Sequence, residues 1–147
     1  EYHCDKHVVK MILETGQMLS TAYRRHFHEC HYYGVDLYKT AYPKHPMTIW
    51  VGDRGENFKW TMELFKHLLD QYELRFNKVH STSRIFYLLD KRYRYWRELK
   101  GSFSEPPQCM PDKCKHSDYI TAYRIYYANE KKDFAKYTKV ATPDFMC

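Results

Sequence analysis

Apolar side chains recur every three or four residues along much of the chain, as they do on one face of an α-helix. The first such stretch runs from about Tyr2 to Arg24. The second runs from Asp53 to about Phe76, and Asp53 together with Glu56 resembles a capping box at its start. These two stretches predict two long helices.

Two further helices are predicted in the second half of the chain. One follows Ser83 and stops at Gly101, a residue type that commonly ends helices. The other begins at Ser117 or Asp118, both good N-cap residues, and continues as far as Phe134. Long loops therefore separate some of the predicted helices.

The remaining pattern excludes a sheet. Residues 26–46 contain Gly34, Pro43 and Pro46 and predict a loop, and Thr48–Val51 fits a helical turn. No run of five residues alternates apolar and polar side chains as a strand does. We expect an all-α protein, a compact helical bundle with long loops that forms one domain over residues 1–147. The predicted core consists of Ile12, Leu19, Phe58, Met62, Phe65, Leu69, Leu88 and Tyr123.

Composition adds a preference for a polyanionic partner. The 147 residues are 18% aromatic, and 24 Lys and Arg against 18 Asp and Glu give a formal net charge of +6. Basic, aromatic-rich domains favour nucleic acid. No stretch approaches the ~20 apolar residues of a bilayer span, so we expect no membrane partner.

Cysteine usage indicates the compartment. Five cysteines are an odd number, and no signal segment opens the sequence, so we expect free thiols in a cytoplasmic protein. Because the helical pattern starts almost at Glu1, we also expect the natural chain to begin some residues earlier.

Candidate acid–base chemistry lies on the first helix. His7, Lys10 and Glu14 are three or four residues apart and share its polar stripe. A carboxylate beside a histidine and a lysine can act as a general acid or base. The alternative is that Lys10 and Glu14 form a solvated i,i+4 ion pair.

Histidine and cysteine clusters raise the question of a metal. They are His3, Cys4 and His7; His26, His28, Cys30 and His31; and Cys109, Cys114 and His116. None contains the C-x2-C pair typical of zinc sites. We therefore expect no metal and no cofactor, although a metal-supported hydrolase remains an alternative.

The third predicted helix is basic and aromatic. It carries the cations Lys91, Arg92, Arg94 and Arg97, which can contact the phosphates of a nucleic acid. The motifs of P-loop NTPases, serine hydrolases and zincins are absent from the sequence.

The first helix resembles that of the phage pyrimidine-dimer DNA glycosylases of the endonuclease V type. These proteins have an Asp-x-His there and a catalytic Glu at the offset that separates Asp5 from Glu14. The segment His45–Trp50 is similar to the family's His-x-Thr-aromatic segment, and the helix after Asp118 and the closing Pro143 follow in the same order. The chain is also similar to uncharacterised cyanophage proteins that contain C-D-K-H-V-V-K-M.

The resemblance implies a DNA repair enzyme with both glycosylase and AP lyase activity. Such an enzyme attacks the sugar C1′ with its N-terminal α-amine, forms an imine and cleaves the strand by β-elimination. Glu14 would be the catalytic carboxylate, with His7 and Lys10 beside it, and His45 would contact DNA. The chain departs from the family at Leu13 and Gln17, where the family has arginines that act on DNA. A phage nucleic-acid- or protein-binding module without chemistry is the second alternative.

Overall fold

The computed structural model describes residues 2–28, 30–32, 34–96 and 101–147, with the side chains at 32 and 92–96 left out of the description. Of the described residues, 63% are helical, which confirms the predicted all-α class. The α-helices are α1 Asp5–His26, α2 Pro46–Asp53, α3 Gly55–Phe76, α4 Phe86–Trp96 and α5 Tyr119–Glu130. Two strands of two residues, β1 His31–Tyr32 and β2 Val35–Asp36, form a small antiparallel hairpin in the region expected to be loop.

Helix α1 is stabilised at both ends by charge and at its start by a distant segment. Asp5 lies in the first turn and the cations Arg24 and Arg25 lie in the last, an arrangement that opposes the helix dipole. The Asp5 N–H donates to the carbonyl of Lys136 at 2.8 Å, which pairs a backbone donor that the helix itself leaves free. The helix therefore begins three residues later than predicted.

Helices α1, α2 and α3 enclose the main core. The buried apolar residues of this core are Val8, Ile12, Leu19, Ala22, Tyr23, Leu37, Trp50, Val51, Phe58, Met62, Phe65, Leu68, Ile85, Leu88 and Leu89. Gly16 lets α1 approach the 3-10 turn Ser81–Ile85 closely, because a Cβ at Gly16 would lie only 2.7 Å from Thr82 Cγ2.

Two members of the predicted core are not among the buried residues of the main core. Leu69 is only half-buried against the main core. Tyr123 packs on a second cluster of Met110, Cys114 and Ala122, which joins α5 to the 3-10 turn Asp112–Cys114. The 3.6-residue pattern identifies an inward face but cannot say which of two clusters the face joins.

The second long helix begins within two residues of its predicted start near Asp53, but its predicted capping box is wrong. Asp53 ends α2, and α3 begins at Gly55 after Arg54, whose extended backbone separates the two helices. No side chain caps α3, so Asp53 and Glu56 form no capping box. The break itself agrees with the sequence, which predicts a short helical turn at Thr48–Val51 and a separate long helix after it.

The predicted starts of the last two helices agree with the structure, and the predicted end of α5 does not. The Asp118 side chain accepts from the N–H groups of Ile120 and Thr121 and caps α5 as expected. Phe134 lies in a separate 3-10 turn, Lys132–Phe134, and not on that helix. The predicted stop of α4 at Gly101 follows residues 97–100, which lie outside the described part of the chain. In the parts of the chain listed above, no helix has the length and apolar character needed to span a bilayer.

Candidate functional site

Glu14 lies in a cleft between α1 and the segment that leads into α2. The cleft, called here the Glu14 cleft, has a volume of about 210 Å³. Its walls are formed by Glu14, Gln17, Met18, Ala41, Tyr42, His45 and Thr48. Glu14, Gln17 and Met18 are at i, i+3 and i+4 and therefore share one face of α1.

Side chains of α1 fix the opposite wall of the cleft. Thr21 Oγ1 donates to the Ala41 carbonyl at 3.2 Å and accepts from the Ala41 N–H at 2.9 Å. Arg24 donates to the carbonyls of Leu37 and Tyr38, and Arg25 donates to that of Pro43. Residues 37–43 are thus held against the helix although they form no secondary structure.

His45 joins the cleft to the start of α2. Its Nδ1 accepts from the Met47 N–H at 3.2 Å, so His45 is the N-cap of α2, and Pro46 occupies the favoured first helical position. With Nδ1 used as an acceptor, the proton of the neutral imidazole is on Nε2. The exposed ring therefore has an N–H that can donate to a ligand in the cleft.

Glu14 keeps its carboxylate accessible while it pairs with Lys10. Lys10 Nζ lies 3.3 Å from Glu14 Oε1, and the two side chains are 65% and 42% exposed. A pair this exposed stabilises the fold by at most about 1 kcal/mol. The carboxylate is therefore free to exchange Lys10 for a ligand at little cost.

His7 lies apart from the Glu14 cleft. Its Nδ1 is hydrogen-bonded to the Tyr127 hydroxyl, and its ring contacts the rings of Tyr127 and Phe134 at centroid distances of 5.2 and 5.7 Å. Burial lowers the pKa of His7, and the charges of Lys131 and Lys10 lower it further, although the negative charge of Glu14 partly opposes them. The structure thus brings Glu14 together with Lys10 and His45, and it places His7 against α5.

The residues predicted to contact DNA on α4 are only partly described. Lys91 is exposed, with its Nζ 4.6 Å from the centroid of the Tyr87 ring. Arg92 and Arg94 lie on α4 without described side chains, and Arg97 is outside the described residues. Their proposed contact with DNA stays a prediction.

A larger apolar pocket adjoins the Glu14 cleft at Met18, and the sequence did not indicate it. This aromatic pocket has a volume of about 310 Å³. Its lining consists of Tyr2, His3, Met11, Met18, Met47, Trp60, Thr61, Leu64, Pro106, Tyr119, Ile120, Tyr123, Arg124, Tyr127 and Phe145. The available signal was the four-residue spacing of Tyr119, Tyr123 and Tyr127, three of the four tyrosines on α5, which equally fits a core face.

One wall of the aromatic pocket carries titratable groups with shifted pKa values. Burial, followed by the nearby His7, lowers the pKa of His3 to about 4, so His3 is neutral at pH 7. Burial also raises the pKa of Tyr127, whose ring meets His3 edge-on with centroids 6.1 Å apart. These groups present hydrogen-bonding atoms, and no net charge, to the pocket.

The metal question rests on the described residues alone. Among them, no three His, Cys, Asp or Glu side chains are grouped closely enough to hold a metal ion. The five cysteines are free thiols, of which Cys4 and Cys114 are buried.

No family model matches this chain, and searches of curated proteins and of solved structures found no match.

Proposed function

We propose that this protein is a DNA-processing enzyme, a glycosylase and AP lyase that removes a damaged base and cleaves the strand at the Glu14 cleft. One observation carries the proposal. The sequence predicts functional roles for Glu14 and His45, which come from separate segments, and both residues line a single cleft. The net charge of +6 supports a polyanionic substrate.

The residues of the cleft suit glycosidic bond cleavage. Positive charge develops on the sugar as the base leaves, and the Glu14 carboxylate stabilises that charge and exchanges protons. Lys10 orients the carboxylate through their ion pair. His45 donates through Nε2 to the phosphate next to the reacting sugar. The aromatic pocket that meets the cleft at Met18 has room for a base extruded from the duplex.

Strand cleavage by Glu14→Gln tests the assignment. The substrates are duplex oligonucleotides with an ultraviolet dimer or an abasic site, and the protein has its native amino terminus exposed. The substitution keeps the size of the side chain and removes its charge, so we expect the rate to fall by roughly 10²- to 10⁴-fold. The matched control is Glu63→Gln, an exposed carboxylate of α3 that does not line the cleft, which should cleave like the wild type.

Borohydride trapping tests the covalent step. Borohydride reduces an imine between protein and sugar to a stable amine, so wild-type protein and abasic DNA should form a cross-linked band. Equal cleavage by wild type and Glu14→Gln would overturn the role of Glu14. Absence of cleavage on both substrates would overturn the enzyme proposal in favour of a binding module without chemistry.

A further inference from the structure

Tyr42 combines an exposed aromatic ring with an unusual backbone conformation at the rim of the Glu14 cleft. Its side chain is 75% exposed, and its φ of 47° lies in the left-handed region. A bulky residue in that region costs roughly 1–2 kcal/mol compared with the ordinary conformations. The neighbouring structure must supply that energy to hold the ring in this position.

Hydrogen bonds on both sides of Tyr42 hold the conformation. Ala41 is paired with Thr21 through both its N–H and its carbonyl, and the carbonyl of Pro43 accepts from Arg25. The Tyr42 carbonyl itself accepts from the His45 N–H at 3.0 Å, which closes a turn. The backbone of Tyr42 is therefore fixed before any ligand binds.

The surroundings of Tyr42 fit a nucleic acid strand. The residue lines the cleft that contains Glu14 and His45. Arg25, Lys39 and Lys44, all exposed, lie in or against the same segment. A flat ring flanked by cations matches the stacking platforms that bind unpaired bases while the cations contact phosphates. Because the backbone of Tyr42 is already fixed, stacking orders only its side chain and costs little conformational entropy.

We propose that Tyr42 stacks on an unpaired DNA base at the mouth of the Glu14 cleft and so selects locally opened DNA. This inference rests on the proposed function, since it assigns the substrate form that reaches the same cleft. The ring occupies the space next to the displaced base, and the cations of the segment hold the adjacent backbone.

Binding measurements with two DNA forms test the stacking. The probes are a fully paired duplex and the same duplex with a three-base bubble, labelled for fluorescence anisotropy. One stacked base is worth about 1–3 kcal/mol, so Tyr42→Ala should weaken binding to the bubble by roughly 5- to 150-fold. Binding to the paired duplex should change less than about 2-fold, and Tyr42→Trp and Tyr42→Phe should bind the bubble like the wild type.

A spectroscopic measurement separates stacking from a change of fold. With 2-aminopurine in the bubble, wild-type protein should quench the fluorescence of the stacked base, and Tyr42→Ala should not. Val79→Ala is the control, because Val79 is 74% exposed in the connection between α3 and α4 and lies outside both pockets. It should leave binding and quenching unchanged.

The outcomes distinguish this inference from the proposed function. Equal affinity and equal quenching in Tyr42→Ala and wild type would overturn the role of Tyr42, even if strand cleavage occurs. Tyr42-dependent binding without any cleavage would support the stacking role and overturn the proposed enzyme. A protein that binds neither DNA form would overturn both.

Discussion

Asp5 and Glu14 are carboxylates on the same helix, and the structure uses them in opposite ways. Asp5 is 16% exposed and accepts hydrogen bonds from Thr138 N, Thr138 Oγ1 and Arg75 Nη1, the last at 3.1 Å. Glu14 is 42% exposed, and it forms an ion pair with the exposed side chain of Lys10. The comparison shows that burial, and not position on the helix, decides which carboxylate is available to a ligand.

Arg75 explains why Asp5 is committed to structure. Its side chain is fully buried at the end of α3, and it also donates to the carbonyl of His3 at 2.8 Å and to Gln71. A buried guanidinium is tolerated only when it is paired and hydrogen-bonded. Asp5 thus joins the start of α1, the end of α3 and the segment at Thr138.

The largest expected effect breaks this junction. Asp5→Asn removes the negative charge that pairs with the buried Arg75 guanidinium at 3.1 Å, so we expect the free energy of unfolding to fall by about 3 kcal/mol. Glu14→Gln, the exposed counterpart, should change it by less than about 0.5 kcal/mol. Urea unfolding of both variants measures the difference. Equal midpoints would show that the two carboxylates do not differ as argued.

The second effect is the dependence of the protein's stability on pH, which arises in part from His3 at the same end of α1. His3 has its pKa lowered to about 4 in the folded state, so below pH 6.5 the unfolded chain binds a proton that the folded chain does not. Stability should therefore fall as the pH drops from about 6.5 to about 4, by about 3 kcal/mol at roughly 1.4 kcal/mol per pH unit. Urea midpoints between pH 7 and pH 4.5 measure this loss.

Substitutions distinguish the contribution of His3 to this pH dependence from the contributions of other titrating groups. His3→Gln should reduce the dependence in that window and leave the part that comes from His7, whose pKa burial also lowers. His67→Gln, an exposed control on α3, should leave the dependence unchanged. Burial alone would raise the pKa of Asp5, but the hydrogen bonds from Thr138 and Arg75 outweigh it and lower the pKa. The contribution of Asp5 is therefore lost only at lower pH, below its unfolded value near 4. A His3→Gln protein with the wild-type profile would contradict the assignment.

Local patterns predicted the helices well, because helix formation and capping depend on neighbours in the chain. Asp118 as the cap of α5 and Glu14 on the polar stripe of α1 are both local features. The contact of Asp5 with Arg75 joins helices distant in sequence, so no periodic pattern of residues predicts it. The left-handed backbone of Tyr42 is likewise imposed by hydrogen bonds from α1, and nothing in the residue itself indicates it.

The smallest expected effect concerns Lys10, which the sequence placed with Glu14 as a catalytic residue or as its ion-pair partner. The exposed pair at 3.3 Å supports a positioning role. Lys10→Gln should lower the free energy of unfolding by less than about 0.5 kcal/mol and should slow strand cleavage by less than about 10-fold, far less than Glu14→Gln. Salt screens such a pair, so the difference between Lys10→Gln and wild type should shrink at high ionic strength. Lys10→Arg keeps the ion pair and should restore the rate. If Lys10→Gln is instead as slow as Glu14→Gln and Lys10→Arg does not rescue it, the amine takes part in the chemistry directly, and the two residues form one catalytic unit.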